Sequence, residues 1–149
     1  MNITKFLNKV YFAPRLKEIE QYTSHAGELQ QLVLQRLVRT AANTEWGKKH
    51  DYASIRTYED FKKCLPIQTY EEVKPYVTRL RAGEQNLLWP SEIRWFAKSS
   101  GTTNDKSKFL PVSRESLHDT HYKGGRDAVA IYLGQNPESR FFSCKGLIL

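Results

Sequence analysis

The sequence predicts an α/β fold in which an N-terminal helical layer leads into the start of a mixed sheet. Apolar residues recur at helical spacing up to about residue 86. Two runs with strand character follow, Ile93–Lys98 and Lys106–Val112, separated by small and polar residues. We therefore divide the chain into a helical layer (about 1–86), a strand–loop–strand unit (about 92–112), and a helix with a further strand (about 113–149).

Two apolar faces define the first helices of the layer. At least two helices are expected, because Pro14 and Gly27 interrupt the pattern. The opposite, solvent-exposed side of the second helix is predicted to carry Gln30, Gln31 and Gln35. The predicted buried faces are Phe6, Leu7, Val10 and Tyr11 in the first helix, and Leu29, Leu32, Val33, Leu37 and Ala41 in the second.

Two capping boxes predict short helices in the rest of the layer. Thr57 precedes Asp60, and Thr69 precedes Glu72, at the spacing that lets an acid bond back to the helix cap. Capping explains these two acids better than a catalytic role does. Pro75 lies too deep in the second helix for a regular hydrogen-bond ladder, so we expect a fresh turn to begin there.

After the hairpin region, Ser113 is expected to cap a long helix that ends near Gly134. The last run, Phe141–Leu149, has strand character and no polar tail, so we expect the chain to be cut inside a sheet. An exposed apolar strand edge favours aggregation, and we expect the isolated chain to be poorly soluble or partly molten.

Composition and charge narrow the function classes. The 149 residues are 40% hydrophobic, 12% aromatic and 26% charged, which is typical of a globular protein. The net charge of +7 favours anionic partners, although the basic residues form no long tract. The two cysteines show no metal-ligand spacing, and neither a membrane span nor a secretion signal is present. We therefore expect a cytoplasmic protein without a membrane partner.

The stretch from Lys98 to Lys108 is the strongest candidate for chemistry. It places a hydroxyl-rich turn around Gly101 between two strands, followed by lysines. Glycine permits close approach of a ligand to the backbone, and successive N–H groups of such a turn can hold an anion. The spacing does not match a P-loop, which needs a second glycine before its lysine. A Ser/Thr-rich hairpin loop without a ligand stays an alternative interpretation.

Together with its surroundings, this stretch resembles the auxin-responsive promoter family of acyl-acid amido synthetases, within the adenylate-forming superfamily. The resemblance extends from about residue 4 to the end of the chain. The matching stretches are Thr44–Gly47, Tyr58–Phe61, Leu65–Ile67, Tyr70–Tyr76, Arg79–Glu84 and Ser99–Pro111. By this resemblance the chain is an incomplete, N-terminal portion of the large adenylation domain.

The resemblance implies a two-step reaction that uses ATP and Mg. A carboxylic acid attacks the α-phosphorus of ATP to give an acyl-adenylate and pyrophosphate, and an amino acid or other amine then takes the acyl group. The residues implied to bind the ATP phosphates are Ser99, Ser100, Gly101, Thr102 and Thr103. Lys108 best matches the catalytic lysine, and Lys106 is a second candidate cation. The full-length enzyme is expected to be a monomer.

This sequence also departs from the family pattern. Asn104 stands where related enzymes often have glycine, although asparagine tolerates left-handed backbone angles. The later motifs that contact adenine, ribose and acyl substrate are missing, as is the small C-terminal domain. We therefore expect the chain alone to be inactive.

Other functions stay open at this stage. A basic nucleic-acid-binding domain would use Arg79, Arg81, Lys106 and Lys108, but these residues form no stripe and lack stacking aromatics. A non-catalytic remnant is another possibility, which the codons after Leu149 would distinguish. His118 and His121 share a helical face, yet no third ligand is evident, so no metal site is expected.

Overall fold

A computed structural model of the chain describes residues 3–100 and 107–143. The described residues fall into two compact units, one formed by 3–26 with 118–143 and the other by 27–100 with 107–117. The α-helices are α1 (Ile3–Leu7), α2 (Ala13–Ser24), α3 (Ala26–Ala41), α4 (Glu45–Lys49), α5 (Tyr58–Cys64), α6 (Tyr70–Arg81), α7 (Arg114–Ser116) and α8 (Lys123–Gln135). Strands β1 (Trp95–Lys98) and β2 (Phe109–Val112) pair antiparallel.

Short helical turns of other types connect some of these elements. A π-helical turn, Asn8–Phe12, joins α1 to α2, and a second one, Leu117–Tyr122, joins α7 to α8. Turns of 3-10 helix occur at Tyr52–Ser54 and Phe141–Ser143. The predicted fold class is confirmed, because helices precede the start of a sheet near residue 95, and that described sheet is a two-stranded antiparallel hairpin.

The first unit buries a different face of its N-terminal helix from the one predicted. Its core contains Phe12, Ala130 and Leu133. Three of the four residues predicted to be buried, Phe6, Val10 and Tyr11, are more than half exposed. The π-helical turn explains the error, because its i→i+5 bonds insert a residue and rotate the following side chains relative to a regular helix.

A buried arginine connects α2 to α8 in this unit. Arg15, on α2, is 4% exposed and bonds Asp127, on α8, through Nε–Oδ1 at 2.6 Å and Nη2–Oδ2 at 2.7 Å. The same guanidinium donates to Glu18 and to the hydroxyl of Tyr22. The hydrogen bond from Arg15 holds the pKa of Asp127 below its usual value, even though burial opposes this.

The predicted strand at Phe141–Leu149 is wrong over its described part. Residues Phe141–Ser143 form a 3-10 turn, and residues 144–149 lie outside the described part of the chain. Within the first unit, the turn packs on the N-terminal helices: the Phe142 N–H donates to Thr4 Oγ1 at 3.0 Å, and the Phe142 ring stacks on Phe12. Thr4 thereby satisfies a backbone N–H that a strand would have directed to a neighbouring strand.

Helix α3, which belongs to the second unit, buries only part of the face that was predicted. Ala41 of the predicted stripe is buried as expected, and so is Val38, whereas Leu32, Val33 and Leu37 of the stripe are exposed. The side-chain amides of Gln31 and Gln35, predicted to face water, donate to the carbonyl of Arg56. These two bonds tie one side of α3 to the segment around Arg56.

The capping predictions are confirmed. The Asp60 carboxylate accepts from the Thr57 N–H at 2.9 Å, and the Glu72 carboxylate accepts from the Thr69 N–H at 2.6 Å. These hydrogen bonds lower the pKa of both acids. The predicted break at Pro75 is wrong, because α6 runs through it from Tyr70 to Arg81. Only one ladder bond is lost at a proline, and the rest of the helix tolerates the loss.

The C-terminal end of α6 is closed by a glycine. Gly83 has φ of +100°, a conformation that favours glycine over other residues. Its N–H bonds the Leu80 carbonyl, and the Glu84 N–H bonds the Arg79 carbonyl, which together form a Schellman motif. This turn sends the chain toward the hairpin, where Leu80, Leu87 and Ile93 form the main apolar cluster.

Candidate phosphate-binding site

The neck of the β1–β2 hairpin brings together two predicted site residues, Ser99 and Lys108. The register pairs Lys98 with Phe109, so Ser99 and Lys108 are the next opposed pair. The Ser99 N–H donates to the Lys108 carbonyl at 2.9 Å, and the Lys108 N–H donates to Ser99 Oγ at 3.0 Å. Directly opposed residues share one face of a sheet, so the lysine lies beside the start of the hydroxyl-rich turn.

The remaining predicted phosphate ligands lie beyond this neck. Ser100 is exposed and follows the last described strand pair. Gly101, Thr102, Thr103 and Lys106 lie outside the described residues. Because Ser99 Oγ accepts a backbone hydrogen bond, Ser99 closes the hairpin neck and keeps its own hydroxyl proton for a further acceptor.

Helix α6 contacts the hairpin through its first residue. Tyr70 Oη accepts from the Phe109 N–H at 3.0 Å and donates to the Phe109 carbonyl at 3.3 Å. The ammonium of Lys108 lies 5.6 Å from the centre of the Tyr70 ring, within the range of a cation–π contact. Tyr70 therefore contacts both the lysine and the backbone of the residue that follows it.

The last residue of α6 reaches the same strand. The guanidinium carbon of Arg81 lies 3.9 Å from the centre of the Phe109 ring. Behind this contact, Phe96 packs on the apolar cluster of Leu80, Leu87 and Ile93. The helix and the hairpin are thus held together at the base of the candidate site.

Arg79 connects two of the stretches that carry the family resemblance. It donates to both carboxylate oxygens of Glu45 at 2.8 and 2.7 Å, and also to the carboxylate of Glu84. These bonds lower the pKa of Glu45 and of Glu84 and raise that of the arginine. A guanidinium engaged with two carboxylates is a poor phosphate ligand, so the structure removes Arg79 from the predicted nucleic-acid-binding set.

The Trp46–Gly47 pair has a structural role. Trp46 is buried in α4 and contacts the ring of Tyr76 edge-on, at 5.1 Å between ring centres. The Thr44 hydroxyl caps α4 by accepting from the Gly47 N–H at 2.9 Å. The N–H groups of Glu45 and Trp46 bond the carbonyls of Asn86 and Leu87, which tie α4 to the segment that leads to the hairpin.

The histidines on the π-helical turn contact an aromatic ring. His118 and His121 each lie 5.4 Å from the centre of the Tyr122 ring. Within residues 3–100 and 107–143, no group of three or more histidine, cysteine or acidic side chains is placed to hold a metal ion. Across the same ranges, the helices are too short or too polar to cross a membrane.

The family comparison decides where this chain belongs. The GH3 family N-terminal domain matches residues 15–147, which is most of the chain and includes the whole hairpin. The chain belongs to the GH3 family. The predicted resemblance to acyl-acid amido synthetases is thereby confirmed, since the similar GH3 proteins are named as amido synthetases.

Two plant enzymes illustrate the similarity. The chain is 33% identical over 104 residues to indole-3-acetic acid-amido synthetase GH3.5 of Arabidopsis thaliana, a match that covers 69% of this chain and 17% of the enzyme. It is 33% identical over 110 residues to jasmonoyl–L-amino acid synthetase JAR4 of Nicotiana attenuata, covering 70% and 18% of the two chains. The chain thus spans less than a fifth of the length of these GH3 relatives.

A solved GH3 structure shows the same fold. The GH3.15 acyl acid amido synthetase superposes with a TM-score of 0.70 at 25% identity, over 78% of this chain and 21% of that enzyme. This match confirms that the helices and hairpin are arranged as in the N-terminal region of a GH3 enzyme.

The sequence did not predict the contact of Tyr70 with the hairpin. Tyr70 is half-buried, and the sequence alone indicates no more than an aromatic residue at the edge of a core. Its hydrogen bonds reach Phe109, 39 residues away along the chain. The one available signal was that both residues lie in stretches that resemble the family.

Proposed function

We propose that this chain supplies the ATP phosphate-binding loop of an acyl-acid amido synthetase. In this proposal residues 1–149 form the N-terminal portion of the large adenylation domain. The overall reaction joins a carboxylic acid to an amino acid or other amine through an acyl-adenylate. The observation that carries the proposal is the Ser99–Lys108 pair at the hairpin neck, in a chain that belongs to the GH3 family.

The proposed roles follow from the chemistry of the residues and from the family resemblance. Ser99, Ser100, Thr102 and Thr103, with the backbone of Gly101, bind the phosphates through hydroxyl and N–H donors. Lys108 stabilises the negative charge that moves toward the leaving pyrophosphate, so it is the proposed catalytic residue. Lys106 is the alternative cation. A positive charge that strengthens its contact in the transition state raises the rate more than it raises ground-state affinity.

Magnesium accompanies ATP in the proposed reaction. Mg²⁺ usually keeps several waters and binds through substrate phosphates with one or two carboxylates, so a nucleotide brings most of its ligands. The proposal also includes a cytoplasmic location and a monomeric full-length enzyme.

Binding of pyrophosphate and of ATP to the purified full-length protein tests this proposal. Titration calorimetry at low salt is expected to show binding of both ligands, and Gly101→Val is expected to weaken it at least tenfold because a branched side chain blocks close approach to the backbone. Gly27→Val is the matched control, since a Cβ at Gly27 meets nothing within 4 Å. Equal affinity of the wild type and Gly101→Val would favour a hairpin loop without a ligand.

A second experiment tests the whole reaction. The protein encoded by the open reading frame that contains these codons is assayed for pyrophosphate release that depends on a carboxylic acid, and for AMP release that depends on an amine. We expect both activities. Carboxylate-independent ATP hydrolysis, or no release of either product from a folded protein that binds ATP, would contradict the proposed reaction.

A further inference from the structure

We propose that Tyr70 is a positioning residue for the catalytic lysine, an inference that rests on the proposed function. The hydroxyl of Tyr70 bonds both backbone groups of Phe109, and its ring lies under the Lys108 ammonium. One side chain thus bonds the backbone of the residue after the lysine and contacts the charged end of the lysine itself.

The backbone contacts fix the end of the strand. The N–H and carbonyl of Lys108 point toward β1, where both are bonded to Ser99. Neighbouring residues of a strand direct these groups to opposite sides, so those of Phe109 point to the outer edge of β2. Tyr70 Oη takes the place that a third strand would occupy, and this edge of the hairpin is held by a side chain.

The tyrosine is itself held in place. Tyr70 is the first residue of α6, and the preceding cap residue, Thr69, is bonded through its N–H and hydroxyl to Glu72. The position of Lys108 is thereby tied to the capped end of a helix of 12 residues. A fixed cation can stabilise developing phosphate charge without reorganising during the reaction.

A double-mutant cycle in the full-length protein distinguishes positioning from general stabilisation. Pyrophosphate affinity is measured for wild type, Tyr70→Phe, Lys108→Ala and the double variant, with thermal unfolding of each. Phenylalanine keeps the ring and removes only the hydroxyl. We expect Tyr70→Phe to weaken binding about three- to tenfold, as the loss of a hydrogen bond does, and to have no further effect once Lys108 is alanine.

Tyr76→Phe is the matched control. Tyr76 lies on the same helix and is also half-buried, but its hydroxyl contacts Lys49 rather than the hairpin. This variant is expected to bind pyrophosphate within twofold of the wild type.

The role of Tyr70 and the assignment of Lys108 would be contradicted by different results. If Lys108→Ala weakens binding but Tyr70→Phe has the same effect with and without the lysine, Tyr70 does not act through Lys108 and the inference is wrong, while the proposed function stands. If Lys108→Ala binds pyrophosphate as the wild type does, the assignment of the lysine is wrong and the role of Tyr70 falls with it.

Discussion

Replacement of Gly47 by alanine tests how strongly the framework of the site is constrained. A Cβ at this position would lie 2.0 Å from the Ala41 carbonyl oxygen, 2.9 Å from its carbon and 3.0 Å from the Ala42 Cα. All three are backbone atoms, which cannot rotate away as a side chain can. Since nonbonded heavy atoms approach no closer than roughly 3 Å without strong repulsion, α4 must move by about 1 Å.

The cost of that movement follows from the bonds that hold α4. A shift of this size lengthens the Gly47 N–H bond to Thr44 and the Trp46 N–H bond to Leu87, both 2.9 Å in the native fold, beyond hydrogen-bond range. Each buried group left without a partner costs about 1–3 kcal/mol. We therefore expect Gly47→Ala to lower the free energy of unfolding by roughly 2–5 kcal/mol, a large part of a typical 5–15 kcal/mol.

Urea unfolding, followed by circular dichroism and by tryptophan fluorescence, measures this change. Gly125→Ala is the control, because its Cβ meets nothing within 4 Å and alanine favours the helix by up to about 1 kcal/mol. A Gly47→Ala variant as stable as the control would show that α4 relaxes easily and that the close contact with Ala41 does not constrain the fold.

Two further outcomes are expected. Asp127→Asn leaves the buried Arg15 charge short of its main partner and is expected to cost about 3 kcal/mol at neutral pH. Because the pKa of Asp127 is lowered in the folded state, the stability of this pair is present above about pH 4 and lost as the pH falls through the folded pKa, so wild type and variant converge in acid unfolding. In the full-length enzyme, Lys108→Ala is expected to slow carboxylate-dependent pyrophosphate release about a hundredfold, as the loss of ~3 kcal/mol does, and Lys106→Ala less than threefold. The reverse order would transfer the catalytic role to Lys106.

Local chemistry was predictable from the sequence. The capping boxes at Thr57 and Thr69, the strands on either side of the loop, and the helix after Ser113 are all present. Each of these elements depends on residues within a few positions of one another, so a short stretch of sequence is enough to predict it. The family resemblance likewise depended on the order of short stretches.

The buried faces were predictable only in part, as Ala41 and Leu7 show. Apolar spacing assigned Leu32, Val33 and Leu37 to the core, yet α3 turns Gln31 and Gln35 toward the Arg56 carbonyl. A periodic pattern identifies an apolar side of a helix but not which backbone groups elsewhere need a donor. A π-helical turn, which has no strong sequence signal, changed the face of the first helix in the same way.

The sequence by itself determined the candidate site as a loop, a glycine and two lysines. Only the tertiary structure decided that Lys108 opposes Ser99 at the hairpin neck and that Tyr70 bonds the next residue, 39 positions away. The physical reason is that strand register and helix docking are set by the packing of distant segments, here α6 against β2. Nothing local in the residues around Tyr70 encodes which backbone its hydroxyl will meet.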